Sequence, residues 1–77
     1  MISDSLLSFV APGNSAFIKK HAVDEQAAAR MIFDDATGNR LNLGDVDGAK
    51  EVAHKILTAA DDSCKSVIQE LMRRLEW

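Results

Sequence analysis

An apolar stripe at helical spacing runs through the last third of the chain. Asp45 or Asp47 is suited to cap a helix start, while Arg73 and Arg74 suit the negative end of a helix dipole. Spacings of three and four residues predict amphipathic helix from position 45 onward. The members of the stripe are Ala49, Val52, Ala53, Ile56, Leu57, Ala60, Cys64, Val67, Ile68, Leu71, Met72 and Leu75.

The stripe is compatible with one long helix or with two short ones. Asp61, Asp62 and Ser63 are good N-cap residues, but no Gly or Pro enforces a break there. A single helix of about 30 residues would be about 45 Å long, more than a small sheet can cover. A break would instead let the two halves fold back on each other.

Residues 30–43 carry the strongest turn signal in the chain. An apolar run at Met31–Phe33 precedes the turn-forming residues 35–39, and Leu41 and Leu43 then alternate with polar residues. This pattern predicts a β-hairpin, with Gly38 in the left-handed turn position. The alternative is a helix that starts at Asp24, runs through the alanines at 27–29 and ends with Gly38 as its C-cap.

A local resemblance also favours the hairpin. The segment Ile32-Phe33-Asp34-Asp35-Ala36-Thr37-Gly38, followed by Leu41-Asn42-Leu43, is similar to a segment of an uncharacterised bacterial protein family. Members of that family carry this turn between two short strands. The resemblance covers Ile32–Leu43 only, and it implies a turn but no activity, cofactor or partner.

The first 23 residues leave strand and helix open. Residues 5–10 could form a strand or a short helix capped by Ser3 or Asp4, and residues 15–23 could form a strand or a helix begun at Ser15. Turn formers at positions 11–14 separate the two segments. We therefore expect one α+β domain over residues 1–77. Its small antiparallel sheet, the hairpin at 30–43 plus one or two N-terminal strands, would pack on one long or two short C-terminal helices.

Residue types that carry chemistry are sparse. The single cysteine, Cys64, lies on the apolar stripe, and neither His21 nor His54 has a partner at a catalytic or metal-binding spacing. Phosphate-binding glycine loops are absent. We therefore expect no enzyme activity, no cofactor, no metal site and no small-molecule substrate.

The charge balance argues against a nucleic-acid partner. Nine Lys and Arg stand against twelve Asp and Glu, a formal net charge of −3, so the long-range field does not attract phosphates. The alternative function is a small nucleic-acid-associated regulator. It would use Lys19, Lys20, Arg30 and Arg40 on the outer face of the predicted sheet.

The apolar stripe itself suggests the function. It holds more apolar side chains than a small sheet would cover, and Trp77 is of a type enriched in interface hot spots. We therefore expect a protein–protein interaction module, an inhibitor, immunity-type or adaptor protein of bacterial or phage origin, that forms a homodimer or binds a larger protein. Without a membrane span or signal peptide, a cytoplasmic location is expected. The predicted interface comprises Val67, Ile68, Leu71, Met72, Leu75 and Trp77.

Overall fold

The computed structural model describes residues 2–77, which form α-helices and no strand. The predicted α+β fold, with its hairpin and N-terminal strands, is therefore wrong, whereas the prediction of C-terminal helix is confirmed. The stripe forms two helices. The five helices are α1 (Asp4–Leu7), α2 (Pro12–His21), α3 (Glu25–Asn42), α4 (Val46–Ala59) and α5 (Asp62–Arg74).

Helix α3 occupies the segment for which a hairpin was predicted. Asp24 caps it by accepting a hydrogen bond from the Ala27 N–H at 2.7 Å, and the alanines that follow have the highest helix propensity. Ala29, Ile32, Phe33 and Ala36 are buried. Their spacing of three, four and seven positions is that of one helix face, so the apolar run belongs to a helical pattern that begins before it.

The turn-forming residues inside α3 are accommodated by local hydrogen bonding. The Thr37 hydroxyl donates to the Phe33 carbonyl at 2.7 Å, which satisfies the buried polar side chain. Gly38 continues the helix at a propensity cost of about 1 kcal/mol. Gly44, with φ of 76°, follows the end of α3 in the left-handed conformation. The helical alternative from Asp24 is therefore right about the start, but the helix continues past Gly38.

The two N-terminal helices resolve the remaining alternatives in favour of helix. The Ser3 side chain caps α1 by accepting a hydrogen bond from the Leu6 N–H, and α1 buries Leu6 and Leu7. Helix α2 begins at Pro12 rather than Ser15, because proline suits the first turn, where an N–H has no intrahelical partner.

A break at Ala60–Asp61 separates α4 from α5. Ala60 has an extended backbone, with ψ of 146°, and Asp61 caps α5 by accepting from the Cys64 N–H at 3.0 Å. Asp45 similarly caps α4. The apolar stripes of both helices pack on α3, which supplies the cover that the sequence analysis assigned to a sheet.

Candidate interaction surface

The structure divides the interface residues predicted on the C-terminal helix. Ile68 and Met72 are buried in the core of their own chain, and Leu71 packs partly against that core. Val67 is half-buried, and Leu75, at 43% exposure, is the one most open to solvent. The outer row of α5 thus offers little continuous apolar surface. The predicted set was Val67, Ile68, Leu71, Met72, Leu75 and Trp77.

Trp77 folds back on the helices. Its backbone N–H donates to the Met72 carbonyl at 2.9 Å, and Glu76 turns the chain with φ of 60°. The indole ring lies 6.4 Å from the Phe33 ring, measured between centroids, in a tilted arrangement typical of aromatic pairs. Trp77 therefore closes one end of the core.

Exposed apolar side chains concentrate instead where α3 passes into α4. We name Leu41, Leu43 and Val46 the α3–α4 turn surface. All three are exposed, Leu43 to 85%. A groove of about 390 Å³, lined in part by Phe9 and Val52, lies directly beside Leu43.

This surface was not predicted from the sequence, because residues 30–43 were expected to form a hairpin. The alternation of Leu41 and Leu43 was interpreted as one face of a strand, which would have turned both leucines toward a core. In the structure α3 ends at Asn42, so Leu43 lies beyond the last turn of the helix. The sequence signal for this helix end was Leu41 and Leu43 followed by Gly44, because a glycine in the left-handed conformation commonly follows the last turn of a helix.

Electrostatic contacts at the surface are pairs of neighbouring residues. Arg40 Nη1 lies 3.3 Å from Asp45 Oδ2 and bridges the α3–α4 turn, and Lys55 pairs with Glu51 along α4. On α5 the Arg73 guanidinium, bonded to the Glu70 side chain, lowers the pKa of Glu70. Such exposed pairs are screened by water and contribute little to stability.

The cations of the alternative function lie on two helices instead of on one sheet face. The sheet that was to gather them does not exist among residues 2–77. Lys19 and Lys20 lie at the end of α2, whereas Arg30 and Arg40 lie on α3, separated by about 15 Å along the helix axis. Arg40 is also paired with Asp45.

Glu25, Asp61 and Cys64 form the one group in residues 2–77 that brings together three potential metal ligands, with donor atoms within 4.8 Å of one another. The cluster lies where α3 and α5 begin, and the positive ends of both helix dipoles oppose a cation there. Asp61 is engaged as a cap and also accepts from the Ser63 hydroxyl at 2.9 Å. The hydrogen bond from the Cys64 N–H is the main reason that the Asp61 pKa is lowered.

The Cys64 thiol joins the two helices at this cluster. Its Sγ donates to the Glu25 backbone carbonyl at 3.7 Å. Burial raises the pKa of Cys64 above its ordinary value, so the thiol is protonated at neutral pH and is a poor nucleophile or metal ligand. The arrangement favours a structural role for Cys64.

The histidines lie outside this cluster. The His21 ring packs against Phe17 in a tilted arrangement, with 4.3 Å between ring centroids, and His54 is exposed on α4. None of the helices in residues 2–77 combines the length and the hydropathy needed to cross a bilayer.

Comparisons with protein-family models, curated proteins and solved structures found no match to the chain. Inference about function therefore depends on the surface of the molecule alone.

Proposed function

We propose that the chain is a small protein-interaction module without catalytic activity, which binds a second copy of itself or a larger protein through the α3–α4 turn surface. The observation that carries the proposal is the 85% exposure of Leu43 at the edge of a groove of mixed character, in which apolar Phe9 and Val52 lie beside the Arg40–Asp45 ion pair. Single exposed apolar residues are normal on protein surfaces, but clusters of them next to a groove mark interaction sites.

The size of the surface indicates the strength of binding. Burying an exposed leucine contributes about 1.5–3 kcal/mol, and Leu41 and Val46 are already partly covered. Much of this gain is offset by the lost freedom of the partners and by ordering of side chains. We therefore expect moderate affinity, detectable as self-association at high protein concentration or as capture of a larger partner.

A pair of aspartate substitutions tests the proposal. Leu43→Asp places a charge in the α3–α4 turn surface, and Val23→Asp places the same charge between α2 and α3, at a site that is 89% exposed and lies outside that surface. Both positions make few packing contacts, so both variants should keep their helical circular dichroism. Sedimentation velocity over a hundredfold concentration range, and a pull-down from the native host, should show association for the wild-type chain and Val23→Asp but a loss for Leu43→Asp.

Leu75→Asp provides the matched test of the interface first expected on α5. Leu75 is the most exposed member of that set, so Leu75→Asp tests that surface without disturbing the core. Association should be unchanged, because the proposed interface is the α3–α4 turn surface. A wild-type chain that stays monomeric and captures no protein would overturn the proposal. Equal behaviour of the Leu43 and Val23 variants would overturn the assigned surface, and loss of association in Leu75→Asp alone would return the interface to α5.

A further inference from the structure

An open groove lies between α2 and α3. Its volume is about 450 Å³. The floor is apolar, formed by buried Ile18 and half-buried Met31, and one wall carries Phe17, which is 56% exposed. The lining residues are Asn14, Phe17, Ile18, Met31, Asp34 and Asp35, which occupy positions i, i+3 and i+4 of each helix.

The charge along this groove has one sign. Asp34 and Asp35 line the α3 side, and no Lys or Arg lines either side. The Asp35 carboxylate accepts a hydrogen bond from the Asn14 side chain at 3.2 Å. Asp34 is exposed and belongs to none of the ion pairs found within residues 2–77. The groove therefore combines an apolar floor with carboxylates that can accept from a cation.

We infer that the α2–α3 groove binds a basic amphipathic helix of a partner protein, whose apolar side chains pack on Phe17, Ile18 and Met31 while a Lys or Arg pairs with Asp34. Helices that bind in grooves present apolar anchors at i, i+3, i+4 and i+7, with charged residues at the flanks. Arginine suits the site because its guanidinium can donate two hydrogen bonds to one carboxylate.

Two features of the groove fit a helical occupant. Its two sides are themselves helices, so a third helix could lie along the space between them with its anchors at the same spacing as the lining residues. Met31 contributes a flexible, polarisable side chain that can adapt to different apolar anchors. The occupant is cationic because Asp34 and Asp35 would repel a carboxylate on the partner and attract a Lys or Arg.

A synthetic helical peptide of leucine and lysine, with leucines at i, i+3, i+4 and i+7, serves as the probe. Its controls are a scrambled peptide of the same composition and a version in which every lysine is replaced by glutamate. Binding is measured by fluorescence anisotropy of the labelled peptide and mapped by the backbone amide shifts of the full chain. We expect binding of the amphipathic lysine peptide only, with shifts concentrated on the facing turns of α2 and α3.

Substitutions in the chain distinguish contacts within the groove from general electrostatic attraction between the basic peptide and the acidic chain. Asp34→Asn should weaken the peptide about two- to five-fold, as expected for an exposed ion pair. Glu51→Gln, which removes the same charge from an exposed position of α4, should have little effect. Phe17→Ala should weaken binding about tenfold, the effect typical of an aromatic anchor.

The inference is independent of the α3–α4 turn surface, and its test can fail separately. Leu43→Asp should still bind the peptide, and Asp34→Asn should still self-associate or capture the partner as the wild-type chain does. Absence of peptide binding, equal binding of the glutamate or scrambled peptide, equal losses in Asp34→Asn and Glu51→Gln, or amide shifts located elsewhere would each overturn the groove as a site for a basic helix.

Discussion

Helix α3 is held differently on its two sides. Towards α4 and α5, the completely buried Ala29 and Ala53 belong to one core cluster with buried Ile56 and Ile68. Towards α2, Ile18 is the one residue of that helix that is buried, and an exposed hydrogen bond joins Asn14 to Asp35. Small side chains let helices approach closely, whereas the side facing α2 leaves a groove.

The difference in packing indicates that the two sides of α3 contribute differently to the stability of the fold and to binding. Close packing gives a region little capacity to rearrange, because even one methylene added or removed is felt by its neighbours. Regions with few buried apolar contacts open at lower free energy and commonly carry binding surfaces. We therefore expect the α3–α4–α5 side to determine the stability of the fold and the α2 side to tolerate change and accept ligands.

The largest expected effect is loss of a core isoleucine on the packed side. Ile68→Ala removes a fully buried side chain and should lower the free energy of unfolding in urea by about 2–5 kcal/mol. Ile18→Ala makes the same change beneath α2. It should cost less, about 2 kcal/mol, because the adjoining groove lets α2 relax into the space. Equal losses at the two sites would contradict the comparison.

Acid should loosen the packed side at the start of α5. The pKa of Asp61 is lowered from its ordinary value of 3.8, chiefly by the hydrogen bond from the Cys64 N–H. The cap therefore contributes fully above pH 3.8, and its contribution is lost as the pH falls through the lower pKa of the folded state.

Asp61→Asn keeps a good cap but cannot titrate. Urea titrations at pH 6 and pH 3 should show a smaller loss of stability in this variant than in the wild-type chain. If the two chains lost the same amount, the hydrogen bonds to the Asp61 carboxylate would not be the source of the acid sensitivity. Glu70, whose pKa Arg73 lowers, changes in the same direction in both chains.

The smallest effect concerns two helical glycines. A methyl group at Gly38 of α3 would meet no atom within 4 Å, so Gly38→Ala should stabilise the chain by about 0.5–1 kcal/mol through helix propensity. At Gly48 of α4 the methyl group would overlap the Asp45 carboxylate, which accepts from the Gly48 N–H at 2.9 Å.

Displacing the Asp45 carboxylate from its capping position should cancel the gain in helix propensity that alanine brings. Gly48→Ala should therefore leave the stability of the chain nearly unchanged or lower it. Thermal unfolding of the two variants measures the difference. A stabilising Gly48→Ala would show that the Asp45 cap contributes little to α4.

Predictions from the sequence were right where the local signals in the chain are strong. The stripe from Ala49 to Leu75 predicted helix. Of the candidate caps, Asp45 or Asp47 and the residues at 61–63, the structure uses Asp45 and Asp61. Cys64 is buried as its position on the stripe predicted. The hairpin at 30–43 was wrong because turn formers such as Gly38 were given more weight than the helical spacing of Ala29, Ile32, Phe33 and Ala36.

The candidate site was less predictable than the fold. Interface residues were chosen from the most apolar helix face, but Ile68 and Met72 on that face are buried in the core of their own chain. The α3–α4 turn surface and the α2–α3 groove both depend on where α3 ends and on how α2 packs beside it. Neither property is encoded in the spacing of residues along one helix.

The sequence by itself determined that the chain is helical from position 45 onward, because apolar periodicity acts between residues three or four positions apart; it left open whether one helix or two would form and which residues would cap them. Tertiary structure decided that α4 and α5 both pack on α3, that Trp77 closes the core and which apolar side chains remain exposed. These outcomes depend on which surfaces meet. An apolar side chain gains free energy from burial against any apolar surface, so the contacts made by distant parts of the chain decide which side chains are covered.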